Sequence, residues 1–147
     1  MGVFIIIGDP GGAAIATYGK AFLIFNPSAR GLGGARVQRV EKILGILRAD
    51  GHHVTPLGTR GEGTAASIAR ECVQQRAYLI LVAGGDGTIN ETANGMIHSD
   101  VPLGILPVGT GNVLATELGL RGSAEVYAGQ VAEWLPRRIS AGLLLAE

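Results

Sequence analysis

One glycine-rich run, Ala83-Gly84-Gly85-Asp86-Gly87-Thr88-Ile89-Asn90-Glu91, constrains the fold of this chain more than any other segment. It follows the apolar residues Tyr78 to Val82, and an aliphatic run that ends abruptly in glycines is typical of a buried strand entering a loop. Glycines let a ligand approach the backbone closely, so peptide N–H groups can point at an anion beside the positive end of a following helix. The run therefore predicts a phosphate-binding loop at one edge of a sheet.

The same pattern, a strand followed by a loop of small and polar residues, occurs twice more. Phe22 to Phe25 leads into Asn26-Pro27-Ser28-Ala29-Arg30, and Leu103 to Leu106 leads into Pro107-Val108-Gly109-Thr110-Gly111-Asn112. Because parallel strands place their carboxyl ends at the same edge of an open sheet, we expect the three loops to line one crevice.

Between these loops the residue patterns alternate between helix and strand. Helical spacing extends over residues 36–49 and 64–76, and a short strand is predicted over 53–57. Repeated β-α units predict an α/β fold with three layers, α/β/α, around a mostly parallel sheet. We expect Thr64 to cap the second helix, and Ile68, Cys72 and Val73 to face inward.

The two ends of the chain also contain apolar segments. Val3 to Ile7 predicts an extra edge strand or a loosely ordered extension, with a fourth ligand loop over residues 8–12 as the alternative. Near the other end, residues 123–134 predict a helix, and Arg137 to Leu145 predicts the start of another strand.

Composition argues against several classes of partner. The chain has 147 residues, of which 47% are hydrophobic, and this is the size of one domain with a substantial core. Its 12 basic and 12 acidic residues leave no net positive field for nucleic acid or an anionic membrane. No run reaches the roughly 20 apolar residues of a transmembrane helix. Cys72 has no partner for an internal disulfide, and His52, His53 and His98 lack the spacing of metal ligands.

Taken together, the three loops resemble those of the diacylglycerol kinase catalytic domain, a family that includes bacterial lipid kinases and sphingosine kinases. The resemblance rests on Asn26-Pro27, on Gly84 to Thr88 with Asn90-Glu91, and on Gly109-Thr110-Gly111-Asn112, in this order. NAD kinases share the second loop and a related fold, but not the other two loops together. The resemblance implies a diacylglycerol-kinase-like or NAD-kinase-like fold, and transfer of the γ-phosphate of ATP, with Mg²⁺, to a hydroxyl of a diacylglycerol-like or sphingosine-like lipid.

The resemblance also implies the residues that contact ATP. They comprise the first loop, a threonine after the third predicted strand, and parts of the two later loops: Asn26, Pro27, Ser28, Ala29, Arg30, Thr59, Gly84, Gly85, Asp86, Gly87, Thr88, Ile89, Asn90, Glu91, Thr110, Gly111 and Asn112. Asp86 is the expected Mg²⁺ partner, because a carboxylate beside phosphate is repulsive without a cation between them. If Gly87 has a positive φ, valine in its place should harm both folding and binding.

Four positions depart from the family pattern. Ala29-Arg30 replaces a small Ser-Gly pair, so the Arg30 cation either pairs with phosphate or partly blocks the loop. Thr64 and Val113 each stand where most relatives carry aspartate. Purely structural roles remain open as well: helix capping for Thr88, Asn90 and Asn112, and a favourable charge near a helix N-terminus for Glu91.

The resemblance divides the chain into an N-terminal extension over 1–20, an ATP-binding kinase domain over 21–136, and the start of a second, β-rich domain over 137–147. In the resembling kinases, the cleft between two such domains holds the lipid and the catalytic base. We therefore expect the base to lie beyond Glu147, and the chain alone to be inactive and to form a homo-oligomer, since the apolar tail Ile139 to Leu145 would have no sheet to join.

A cytoplasmic location with peripheral membrane contact is expected. The alternatives are a NAD-kinase-like or other small-molecule kinase and a non-catalytic nucleotide-binding module.

Overall fold

The computed structural model describes residues 2–7, 17–27, 33–108, 116–117, 119–120 and 122–140. The strands in these residues are β1 (Gly2–Ile7), β2 (Ala21–Phe25), β3 (Val54–Gly58), β4 (Leu79–Gly84), β5 (Leu103–Pro107) and β6 (Leu135–Ser140). The helices are α1 (Gly33–Ala49), α2 (Thr64–Gln74), α3 (Asp86–Gly95) and α4 (Ala124–Ala128), followed by a 3-10 turn at Val131–Glu133.

The six strands form one sheet in the order β3-β2-β4-β5-β1-β6. The neighbouring pairs from β3 to β1 are parallel, and β6 pairs antiparallel with β1. The strand β4 lies in the interior and is buried at all six positions, as expected for a parallel strand covered on both faces. This arrangement confirms the predicted α/β fold with a mostly parallel sheet.

Alternate residues of the strands form two hydrophobic layers, one on each face of the sheet. On one face, Ile24, Ile80 and Val82 pack with small and aliphatic residues of α2 and α3. On the other face, Leu23 and Leu81 pack with α1 and α4. Because successive side chains of a strand point to opposite faces, the continuous aliphatic runs of β2 and β4 supply both layers.

Helices α2 and α3 approach each other closely enough to require glycine at their contact. A Cβ atom built on Gly95 of α3 would lie 2.3 Å from the carbonyl oxygen of Ala66 in α2. Buried alanines lie on both helices, at Ala65, Ala66 and Ala69 of α2 and at Ala93 of α3. Small residues on both helices therefore set a short distance between their axes.

The strand β3 forms one edge of the sheet and carries Pro56 at its centre. Proline has no N–H and is found in sheets mainly at edges, where that side faces away from the neighbouring strand. At the start of β3, Nη2 of Arg48 donates a hydrogen bond to the carbonyl oxygen of Val54 over 3.2 Å.

Two expectations for the ends of the chain are wrong. The predicted strand near the N-terminus exists as β1, but it lies between β5 and β6 and is not an edge strand. The expectation that the tail has no sheet to join is wrong for its first residues, because β6 pairs with β1 through Ser140. The predicted ligand loop over 8–12 and the remainder of the tail, 141–147, lie outside the described residues.

Two predictions about helices also need correction. Gly63, with φ 80°, occupies the N-cap of α2, and Thr64 is the first helical residue. The Thr64 hydroxyl instead stabilises the preceding turn, since it donates to the carbonyl of Gly61 over 2.6 Å and accepts from the N–H of Arg60 over 3.0 Å. The helix predicted over 123–134 ends after five residues at Gly129, and a 3-10 turn follows.

Candidate functional site

A pocket of about 620 Å³ lies at the carboxyl ends of the strands that precede the predicted loops. Residues that follow β2, β3 and β4 line it: Asn26, Thr59, Arg60, Gly61, Glu62, Gly63, Gly87, Thr88 and Glu91. Five of these, Asn26, Thr59, Gly87, Thr88 and Glu91, belong to the site predicted from sequence. The structure thus brings residues of two predicted loops and the separate threonine together around one cavity.

Strand register explains why these segments meet. Phe25 of β2 is level with Gly58 of β3 and with Ala83 of β4. The strands β2 and β3 therefore end at the same height and β4 ends one residue further on, so the residues that follow them enter the same space. The N–H of Thr59 donates to the carbonyl of Phe25 over 2.9 Å, so the ladder extends by one residue into the pocket.

The glycine-rich run is divided between a strand end and a helix. Gly84 ends β4, Gly85 is the N-cap of α3, and the helix begins at Asp86. A Cβ atom on Gly84 would lie 3.1 Å from Cβ of Thr88, so glycine there allows the helix to start directly above the strand. The positive end of the α3 dipole and the amides of its first turn therefore lie at the pocket, an arrangement that favours anions.

The backbone shows whether Gly87 has the positive φ on which the expected effect of valine depends. Gly87 lies in the first turn of α3 and does not have a positive φ, and a Cβ atom built on it meets no atom within 4 Å. Positive φ values occur instead at Gly61 (143°) and Gly63 (80°), in the segment 59–63 that lines the pocket. The backbone requirement for glycine thus lies in this segment, which we call the 59–63 loop.

The 59–63 loop is held by several hydrogen bonds. Besides the two bonds of the Thr64 hydroxyl, Oε1 of Glu91 in α3 accepts from the N–H of Gly63 over 3.0 Å. Arg60, which is not among the site residues predicted from the sequence, is exposed and lines the pocket beside Glu62. A cation placed among glycines directly after a strand was the signal in the sequence that could have identified it.

Other predicted site residues lie near the pocket without lining it. Ile89 is fully buried in the core, and its N–H donates to the carbonyl of Gly85 over 3.1 Å. Gly84 is buried, whereas Pro27, Gly85, Asp86 and Asn90 are half-buried and do not line the cavity. The remaining predicted positions, Ser28, Ala29, Arg30, Thr110, Gly111 and Asn112, lie outside the described residues. Contact of the whole predicted set with ATP stays a prediction.

Acidic side chains outnumber basic ones at the described part of the pocket. Glu62 and Glu91 line it together with the single cation Arg60, and Asp86 begins the adjacent helix. Within the described ranges, no three His, Cys, Asp or Glu side chains are close enough to hold a metal ion by themselves. A single carboxylate such as Asp86 suits Mg²⁺, which commonly takes one or two protein carboxylates and completes its shell with phosphate oxygens and water.

The other candidate reactive groups lie away from the pocket. Burial raises the pKa of the Cys72 thiol to about 11, so this side chain stays protonated and packs as part of the core. His52 is buried beneath Tyr18, where its Nδ1 accepts from the Tyr18 N–H over 3.0 Å, and burial lowers its pKa. No helix in the described part of the chain has the length and apolar character needed to cross a membrane.

Comparison with known proteins gives one consistent family. A family model described as "Diacylglycerol kinase catalytic domain" matches residues 20–144. The chain is 32% identical over 130 residues to a protein of Chromohalobacter salexigens named probable lipid kinase YegS-like, a match that covers 86% of this chain and 40% of the relative. It is 34% identical over 105 residues to a diacylglycerol kinase of Bacillus subtilis, covering 69% of this chain and 33% of the relative.

The fold is similar to solved structures as well. A diacylglycerol kinase structure from Bacillus anthracis superimposes with a TM-score of 0.61 and 30% sequence identity, over 78% of this chain and 39% of the other. The chain thus spans between a third and two fifths of the length of the curated relatives cited above.

Proposed function

Because the chain belongs to the diacylglycerol kinase catalytic domain family, we propose that it is the ATP-binding part of a lipid kinase. The single observation that carries this proposal is the pocket at the carboxyl ends of three parallel strands, where the N-terminus of α3 meets the 59–63 loop. The reaction is transfer of the γ-phosphate of ATP to a hydroxyl of a diacylglycerol-like or sphingosine-like lipid.

Several features of the pocket favour a nucleotide phosphate chain. Gly87 has no side chain and lies in open space, so a phosphate can approach the first turn of α3 closely. The Thr88 hydroxyl and the Asn26 amide are neutral donors on the same cavity, and Arg60 supplies a cation. Positive charge and N–H donors at a helix start are the usual partners of phosphate oxygens.

The acidic side chains of the site require a compensating cation. Glu62, Glu91 and Asp86 would repel free ATP, so we expect the site to bind ATP as its Mg²⁺ complex. Asp86 is the side chain proposed to hold the ion, together with phosphate oxygens and water. When bound, Mg²⁺ neutralises part of the charge on the phosphates.

Phosphoryl transfer depends mainly on position and electrostatics, and this chain is proposed to supply those for the nucleotide. No residue among the described ones is assigned the role of the base that removes the lipid hydroxyl proton. The two relatives cited above are about two and a half and three times as long as the parts matched here, so we place the acceptor site and the base outside these 147 residues. We accordingly propose that the chain alone binds ATP but does not phosphorylate lipid.

Titration calorimetry of the 147-residue chain with ATP, with and without Mg²⁺, tests the proposal. We expect weak but measurable binding that depends on Mg²⁺. Asp86→Ala should remove most of the Mg²⁺-dependent part, whereas Asp50→Ala, an exposed aspartate in the turn before β3 at the other end of the sheet, should bind normally. Absence of heat at millimolar nucleotide from folded protein would refute nucleotide binding.

A second measurement tests whether the acceptor site and the base lie outside this chain. Transfer of labelled phosphate from ATP to diacylglycerol or sphingosine in mixed micelles should stay at background for this chain. Clear turnover would show that the acceptor site and the base lie within these residues, and the proposal of inactivity would be wrong.

A further inference from the structure

A side-chain hydrogen bond links two of the three segments that line the pocket, the 59–63 loop and helix α3. Glu91 lies on the second turn of α3, and its Oε1 accepts a hydrogen bond from the N–H of Gly63 in the 59–63 loop over 3.0 Å. We propose that Glu91 is a positioning residue, which holds the loop at a fixed distance from α3 and so sets the width of the nucleotide pocket. This inference rests on the proposed function for the identity of the ligand, but not for the loop contact itself.

The loop needs such a restraint because the hydrogen bonds within it maintain its internal conformation but do not fix its distance from α3. The hydroxyl of Thr64 bonds to Arg60 and Gly61, both within the same turn, and Thr59 is joined to β2. Gly61 and Gly63 have positive φ, and glycine has more accessible backbone conformations than any other residue. Residues 60–63 are also exposed, so packing does not restrict them. The bond to Glu91 is therefore well placed to select one conformation.

The backbone packing beneath the loop is consistent with this role. Gly63 lies beside Glu91, and one turn further along, Ala66 touches Gly95. The two helices thus run side by side in the same direction, and the Glu91 contact stands at the pocket end of that packed interface. A shift of the loop away from α3 would widen the cavity between Arg60 and Thr88, both of which line it.

A positioning role and a charge-based role require different properties of residue 91. Holding the Gly63 N–H requires an acceptor oxygen, which glutamine also has, because its side-chain carbonyl has the same reach. Binding a metal ion, or orienting a charged group, requires the negative charge. Glu91→Gln keeps the acceptor and removes the charge, whereas Glu91→Ala removes both.

The two variants, with the exposed Glu71→Ala of α2 as control, are compared in two measurements. Glu91→Ala should weaken Mg·ATP binding about tenfold or more, since a hydrogen bond with a charged partner is lost. Glu91→Gln and Glu71→Ala should stay within about threefold of the wild type. In the second measurement, hydrogen exchange without nucleotide, the Gly63 amide should exchange about tenfold faster in Glu91→Ala than in the wild type, but near the wild-type rate in Glu91→Gln.

The results separate this inference from the proposed function. If Glu91→Gln loses affinity as fully as Glu91→Ala, the charge is what matters and the positioning role is refuted. Unchanged exchange of Gly63 in Glu91→Ala would also refute it. If the wild type binds no nucleotide, the proposed function fails, while the exchange data still decide whether Glu91 holds the loop.

Discussion

The close contact of α2 and α3 makes one substitution unusually informative. In Gly95→Ala, the new Cβ would lie 2.3 Å from the carbonyl oxygen of Ala66, whereas Cβ atoms in proteins essentially never approach closer than 3.0 Å. Neither atom can rotate away, because one is backbone and the other is the first side-chain carbon. The two helices must therefore move apart along their buried interface.

The expected magnitude combines two opposing effects. Alanine in a helix interior is favoured over glycine by about 1 kcal/mol, which is an upper limit for Gly95 because it is the last residue of α3, and forced overpacking costs about 1–3 kcal/mol. Because the overlap involves rigid atoms in an alanine-lined interface, we place the packing cost near the upper end of that range. Gly95→Ala should therefore lower the free energy of unfolding by about 1–2 kcal/mol.

The chain offers a matched control in Gly45→Ala. Gly45 lies inside α1, is exposed, and a Cβ atom built there meets no atom within 4 Å. The same substitution should raise the free energy of unfolding by about 0.5–1 kcal/mol through helix propensity alone. Urea unfolding followed by circular dichroism measures both variants. If Gly95→Ala and Gly45→Ala change the free energy of unfolding in the same direction by similar amounts, the argument from close helix packing is wrong.

Three further predictions concern other groups. Gly87→Val should unfold close to the wild type but bind Mg·ATP more weakly in calorimetry, because its Cβ enters open space at the pocket without a backbone penalty. Because its pKa is near 11, Cys72 should react with iodoacetamide at pH 8 only when the protein opens, so the reaction rate should rise with urea. The hydrogen bond from Arg39 lowers the pKa of Glu125, so the pair stabilises the fold above the ordinary carboxyl pKa. That contribution is lost as the pH falls through the lowered pKa of Glu125. The difference in the free energy of unfolding between wild type and Arg39→Met should therefore shrink below about pH 4.

The sequence was sufficient to predict the α/β fold because each strand and helix carries its own periodic pattern. The convergence of Asn26 and Thr88 could be predicted too, since parallel strands share a carboxyl edge, whereas Thr59 was expected there only through the resemblance to the kinase family. The position of β1 could not, because the order of strands in a sheet depends on pairing with distant segments such as β6. An apolar run alone does not distinguish an edge strand from an interior one.

The backbone conformation of the glycines could not be predicted from the sequence either. The motif Gly84 to Thr88 looked like a flexible loop, yet most of it forms the start of a helix, so Gly87 needs no special φ. The positive φ values fall at Gly61 and Gly63, where the turn is closed by the Thr64 hydroxyl and by Glu91, a residue of another helix. A bond between residues 28 positions apart has no counterpart in a local pattern.

The two edges of the sheet both carry residues that disfavour the addition of another strand. At β3, Pro56 lacks a donor and Arg48 already occupies the carbonyl of Val54, so an incoming strand would find few partners there. At the opposite edge, β6 pairs antiparallel with β1, and no described strand lies on its outer side. Yet β6 contains Pro136, which also lacks a donor, and the consecutive cations Arg137 and Arg138, and proline and charge both oppose the pairing of an edge strand with another chain. Each described edge of the sheet therefore carries residues that work against its extension into a longer sheet or a fibre.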